Sequence, residues 1–279
     1  MSSKDLLESV KKLREVTGVG FKDCKLAIDE SNGDIEKAIE FLRKKGIAKA
    51  SNKMSRTAAE GLCLLNEKNG EVSLIEINCE TDFVAKNESF ISFCKEVSII
   101  NFENKSDLSK VNKANMKNKF PVATNLTDLI AKMGEKITIR RSIFFDSLNG
   151  KNSFYVHSAL EDKIGKIISI VKTSKADELG KKIAMHVSAL SPMALEEKNL
   201  SKGIVDKEVE IIKAELLNSG KPAEMIDKIA KGKINKFISE NTLINQAWIM
   251  DTKLKVSDIL NKHNIKIVDF IRYKVGEGV

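Results

Sequence analysis

Aromatic residues make up only 5% of this 279-residue sequence, with one Trp and two Tyr. That scarcity argues against a surface on which bases stack in succession. Proline occurs three times, too rarely for a proline-rich linker. The four cysteines, Cys24, Cys63, Cys79 and Cys94, form no CxxC pair and no framework spacing, so reduced thiols in a cytosol are expected. The three histidines, His157, His186 and His263, lie far apart and near no Cys ligand pattern, which argues against a metal site. No apolar run approaches the roughly 20 residues of a membrane span. The first residues carry acids and enter a helical pattern at once, unlike a signal or transit peptide. No phosphate-binding loop, dinucleotide fingerprint or nucleophile elbow occurs. These absences point away from catalysis and cofactors and toward binding.

The sequence does have charge and length. Charged residues are 31%, hydrophobic residues 42%, and the net charge is +8. The length suffices for two domains and a real core. The basic balance fits either nucleic acid or an acidic protein as partner.

Residues 3–46 read as three short helices. Ser3 can cap the first, which carries Leu6, Val10 and Leu13 at helical spacing and ends at Thr17-Gly18-Val19-Gly20. The second stops at Asn32-Gly33. Asp34 caps the third, and Gly46 is expected to close it. Phe21 stands at a helix start, where it can meet a partner or staple the next turn. Residues 47–60 read as a basic linker. Strands follow, with Asn69-Gly70 as a strong hairpin signal. Residues 103–125 read as a variable surface segment with one short helix, and a short helix near Asp128 leads into strand 136–145. Strands 154–160 and 164–172, helix 176–190, a strand region 242–250, helix 256–261 and strand 267–275 complete the pattern. Residues 204–240 carry two apolar stripes around Ser219-Gly220-Lys221-Pro222, an antiparallel helical hairpin. Gly232 suggests close helix contact there.

Two segments repeat. Asn69-Gly70-Glu71-Val72-Ser73-Leu74-Ile75 resembles Ile164-Gly165-Lys166-Ile167-Ile168-Ser169-Ile170, and the helices that follow share Val97-Ser98 and Val187-Ser188. Ser257-Asp258-Ile259-Leu260 likewise echoes Thr127-Asp128-Leu129-Ile130. The middle of the chain therefore reads as two copies of one unit around a shared core. The first copy is longer by five residues, around Thr81–Lys86. Periodicity alone lets Phe83 fold into the core. The second copy does without those residues, which favours an exposed Asp82-Phe83 tip on a loop between rigid elements.

Several motifs resemble the elongation factor Ts family, the exchange factors of the translational GTPase elongation factor Tu. They include Leu13-Arg14-Glu15-Val16-Thr17-Gly18-Val19-Gly20-Phe21, Asn78-Cys79-Glu80-Thr81-Asp82-Phe83-Val84-Ala85, Ile183-Ala184-Met185-His186-Val187, Gln246-Ala247-Trp248-Ile249-Met250 and Phe270-Ile271-Arg272-Tyr273. They span most of the chain in the family's order; residues 103–125 lack family features.

The resemblance implies an α+β fold. A ubiquitin-associated-like three-helix module with its basic linker would span 1–54. A duplicated antiparallel sheet-plus-helix core would follow as 55–150 and 151–279, interrupted by a dimerising hairpin at 204–240. The implied function is binding elongation factor Tu–GDP and promoting GDP release, allowing GTP reloading, in the cytoplasm and without bond-making chemistry of its own. Thr81, Asp82, Phe83 and Val84 would dislodge the partner's Mg²⁺, and Arg14, Phe21 and His157 would contact the partner. No cofactor, membrane or direct nucleic-acid contact is implied. Some members carry a further C-terminal helical module, and no contact from it is expected here. Two other readings stay open on the residues alone: an RNA-binding, ribosome-associated protein, favoured by the charge, and an adaptor for ubiquitin-like partners, favoured by the three helices.

Overall fold

The computed structural model describes all residues except 1–2, 18, 54, 176–177 and 218–222. The Ser3 cap, Gly18, the helix start at Ala176 and the turn Ser219-Gly220-Lys221-Pro222 lie outside the described residues or side chains. The architecture is α+β: three helices, then antiparallel strands with helices. The chain divides into two compact units. The first is Met1–Phe144, Ser158–Lys166 and Tyr273–Val279; the second is Phe145–His157 and Ile167–Arg272.

In the first unit, α1 (Ser3–Thr17), α2 (Phe21–Glu30) and α3 (Ile35–Lys53) bury Val10, Leu13, Cys24, Ala27, Ile28, Ala38 and Leu42 together. The Asp34 carboxylate accepts from the Lys37 amide at 3.1 Å and so caps α3. Gly46 does not end α3 as expected, and the helix runs on to Lys53, so the expected linker is helical in its first half. A Cβ at Gly46 would lie 3.1 Å from the Ala131 Cβ. The glycine thus admits a neighbouring helix, which offsets its penalty of about 1 kcal/mol inside a helix.

Strands β1 (Glu60–Lys68) and β2 (Glu71–Cys79) pair without a break from Glu60↔Cys79 to Lys68↔Glu71. Their turn uses Asn69 at φ 56° and Gly70 at φ 79°, the left-handed pair a two-residue hairpin needs. Next come α4 (Asp82–Ala85), α5 (Glu88–Glu103), α6 (Leu108–Lys113), α7 (Val122–Met133) and β3 (Thr138–Phe145). Leu62, Leu64, Ile75 and Ile77 pack with Phe90, Phe93, Cys94 and Val97 of α5. Residues 103–125 are not merely a surface segment, because Val111, Met116 and Val122 are buried in this core. Val111 lies in α6, Met116 in the loop after it and Val122 at the first position of α7, so no single helical or strand period connects them. The helix near Asp128 is the 12-residue α7.

Strands β4 (Lys151–Glu161) and β5 (Ile164–Thr173) contribute residues to both units. In the first unit the strand order is β3-β2-β1-β5, with Cys63 opposite Gly165. The second unit adds α8 (Glu178–Leu190), α9 (Lys202–Leu217), α10 (Ala223–Asn241), β6 (Ala247–Trp248), β7 (Asp251–Lys255), α11 (Val256–His263) and β8 (Ile267–Lys274). There β5 lies between β4 and β8. In place of the expected strand at 242–250, a single 3-10 turn at Leu243–Asn245 precedes the short β6–β7 hairpin. The Gln246 side chain that follows is buried and donates to the Leu190 and Glu240 carbonyls at 3.2 and 2.8 Å. In the helical hairpin, Ile212, Leu216 and Ala230 are buried against Ile226, Ile229 and Ile234. Gly232 makes no close helix contact, for a Cβ there would meet nothing within 4 Å. The apolar seam places the neighbouring Ala230 inward instead.

His186 is the core histidine the helical pattern suggested. It is buried and stacks on Trp248 at 5.2 Å. Its Nδ1 accepts from the Ile249 amide at 3.2 Å, which leaves Nε2–H to donate to Gln246 Oε1 at 2.9 Å. Burial pulls its pKa down, and the Gln246 bond offsets this only in part. The unfolded chain therefore binds a proton at higher pH than the folded one. The stabilisation is complete above the unfolded value, about 6.5, and is lost as pH falls toward the folded value. Urea unfolding at pH 7, 6 and 5 should show stability falling with a slope of up to ~1.4 kcal/mol per pH unit. His186→Gln should flatten that slope.

Candidate functional site

The turn after β2 is held on three sides. The Glu80 and Thr81 amides donate to Glu135 Oε2 at 3.2 and 3.0 Å. The Thr81 hydroxyl donates to Glu135 Oε1 at 2.7 Å. The same hydroxyl oxygen accepts from the Val84 amide at 3.4 Å and so caps α4. Glu80 in turn accepts from the Lys136 amide at 2.5 Å and from Arg56 at 3.3 Å. Burial alone would raise the Glu80 pKa, but the Lys136 amide and Arg56 outweigh it and hold the carboxyl down. Val84 and Ala85 are buried in the core of the first unit, and Asn87 caps α5 through the Ser89 amide at 2.9 Å.

On this pedestal Phe83 is 82% exposed. A four-residue helix has only one face to bury, and Val84 with Ala85 takes it, which leaves the ring outside. Asp82 sits beside it, paired with Lys86 at 2.8 Å. The Lys86 hydrogen bond is the main cause holding the Asp82 carboxyl below the ordinary range. A large apolar side chain in solvent on a rigid turn is suited to burial in another molecule.

The structure brings Thr81, Asp82, Phe83 and Val84 together, with Val84 as anchor rather than contact surface. Arg14 is exposed on α1, and Phe21, the first residue of α2, is 43% exposed. Both belong to the first unit. His157 belongs to the second unit, exposed on β4, with its Nδ1 3.4 Å from the Tyr155 hydroxyl. Sequence reasoning missed Glu135, Glu80 and Arg56. Glu135 lies 54 residues from Thr81, and no local pattern marks a partner so distant. Among the described residues no group of His, Cys, Asp and Glu is placed to hold a metal ion, and no helix is long and apolar enough to cross a membrane.

The fold and this turn define a class: an α+β protein that displays an exposed aromatic side chain on a braced turn. Comparison with known proteins sharpens it. The family described as elongation factor TS matches residues 80–277, which include the turn. Elongation factor Ts of Gluconobacter oxydans is 38% identical over 97% of this chain and 91% of its own length. That of Methylococcus capsulatus is 38% identical over 97% and 92%. That of Rhodopseudomonas palustris strain BisB18 is 40% identical over the same shares. The chain belongs to the elongation factor Ts family, and its role is in translation elongation.

Proposed function

We propose that this protein binds elongation factor Tu carrying GDP and promotes GDP release by disturbing the Mg²⁺ and phosphate site, so that GTP can reload. The observation that carries this reading is the exposed Phe83 on its braced turn. A translational GTPase holds its nucleotide through backbone amides, a Lys and a Mg²⁺. Mg²⁺ demands near-ideal octahedral geometry, so small displacements of its ligands weaken it strongly. Phe83 is the wedge, Asp82 orients it, and Thr81 with Val84 fixes its base. By linkage, the factor by which this protein weakens GDP equals the factor by which GDP weakens this protein. A 10⁴-fold effect needs about 5.5 kcal/mol of differential binding. The protein is a binding factor and makes no bond of its own.

Arg14, Phe21 and His157 are further partner contacts in this reading. The three helices are a ubiquitin-associated-like module over 1–54, and the remainder is a duplicated core divided at about residue 150. The 204–240 hairpin is a dimerisation element, supported by exposed Ile204, Ile211, Leu217 and Met225 on its helices. The protein works in the cytoplasm. Stopped-flow release of a fluorescent GDP from purified elongation factor Tu tests the reading. Added protein is expected to accelerate release by orders of magnitude, and an unchanged trace would reject it.

A further inference from the structure

Phe83 can act as a wedge only if its turn resists being pushed back, and that resistance has an identifiable source. The backbone of residues 80–81 leaves β2 with two amides directed away from the ladder. Both are taken by one carboxylate, Glu135 Oε2, while Oε1 of the same group takes the Thr81 hydroxyl. Orienting that hydroxyl toward Glu135 leaves its oxygen free to accept from the Val84 amide, so the same bond sets the cap of α4. The exchange is reciprocal, because Glu80 accepts the Lys136 amide from the segment that carries Glu135. That segment is itself held. Lys53 at the end of α3 donates to the Gly134 carbonyl, and Lys136 Nζ donates to the Arg56 carbonyl at 2.7 Å. Glu135 is thus the junction between the turn and the α7–β3 connection. Hydrogen bonds to a charged acceptor are the stronger kind, and three on one carboxylate fix both its orientation and that of the turn.

We infer that Glu135 is the positioning residue of the Phe83 turn: it touches no partner atom and acts by holding Thr81 and the α4 cap so that the ring is presented rigidly. This rests on the exchange reading above. It also makes the rate of nucleotide release depend on a residue outside the Thr81–Val84 tip. A merely structural carboxylate would lower global stability and leave the turn no looser than the rest of the unit.

The test has two arms. In the first, hydrogen exchange is read at individual amides of the full-length protein. In Glu135→Ala, the Glu80, Thr81 and Val84 amides should exchange at least tenfold faster, with the β1–β2 ladder amides unchanged. Glu135→Gln, which keeps one acceptor oxygen, should fall between. In the second arm, fluorescent-GDP release from elongation factor Tu is compared for Glu135→Ala, Phe83→Ala and the double variant. Glu135→Ala should slow release at least fivefold, and the double variant should be no slower than Phe83→Ala alone, because a positioning residue has nothing left to position. Unchanged exchange at the three turn amides overturns the inference, as does a double variant slowed by both single factors multiplied. If the unsubstituted protein fails to release GDP, the exchange reading falls while the amide arm still decides whether Glu135 holds the turn. If Glu135→Ala does not fold, the amide rates in Glu135→Gln decide.

Discussion

Replacing Phe83 by Ala is expected to slow GDP release from elongation factor Tu by about 10- to 160-fold, with the melting temperature of the free protein unchanged. The two halves of this expectation come from the same number. A ring that is 82% exposed contributes little to its own fold, so its removal leaves no cavity. Buried against a partner, the same side chain gains about 1.5–3 kcal/mol, and each 1.36 kcal/mol is a factor of ten in rate when the contact is made only on the way to release. Phe83→Leu should retain part of the effect, since it keeps apolar bulk but loses the flat ring. Release at the unsubstituted rate from Phe83→Ala, with normal complex formation, would rule the ring out as the wedge. A lowered melting temperature would instead mean that the ring packs within its own chain in solution.

The second large effect concerns stability. Glu76, in the middle of β2, is fully buried. It accepts from Arg140 Nη1 at 3.0 Å, Arg141 Nε at 2.5 Å, Asn78 Nδ2 at 3.0 Å and the Gly276 amide at 2.9 Å. Burial alone would raise its pKa, but the Gly276 amide, Arg141 and Asn78 together outweigh it and keep the carboxyl below the ordinary range. Glu76→Ala leaves these donors facing a hole. Breaking a buried ion pair costs about 3–5 kcal/mol. The lower end applies here, because the two Arg side chains are 22% and 31% exposed and regain some water. About 3 kcal/mol corresponds to a fall of roughly 6–12 °C in melting temperature for a protein of this size. The acid limb gives a second readout. With its folded pKa depressed, Glu76 stabilises fully above the unfolded value, and that stabilisation is lost as pH falls below about 4.5 toward the folded value. Glu76→Gln should therefore lose stability at pH 7 and show a shallower decline below pH 4.5. A melting temperature within a degree of the parent would show that the arginines find other partners.

What the sequence disclosed and what it hid divide along one line. Patterns that repeat within ten or so residues were readable. Asn69-Gly70 announced its hairpin, and the apolar stripes of α9 and α10 announced theirs. Contacts between distant residues were not readable. Glu135 reads as one acid among 39 Asp and Glu residues until folding sets it against Thr81. Gly46 carried the usual mark of a helix end, and only the neighbour at Ala131 shows that its missing side chain serves packing. Val111, Met116 and Val122 were hidden because they sit in a helix, a loop and the start of the next helix, with no common period.

That continuation of α3 bears on how the two ends of the first unit could meet a large partner. A floppy tether would let the Arg14 and Phe21 surface search for its mate independently, and the second encounter would be governed by local concentration. A helix bedded along its flank acts instead as a splint. In the proposed reading, the spacing between the Arg14–Phe21 surface and the Phe83 turn is then a property of the folded chain, and a molecule whose matching sites stand at another distance would engage one or the other but not both.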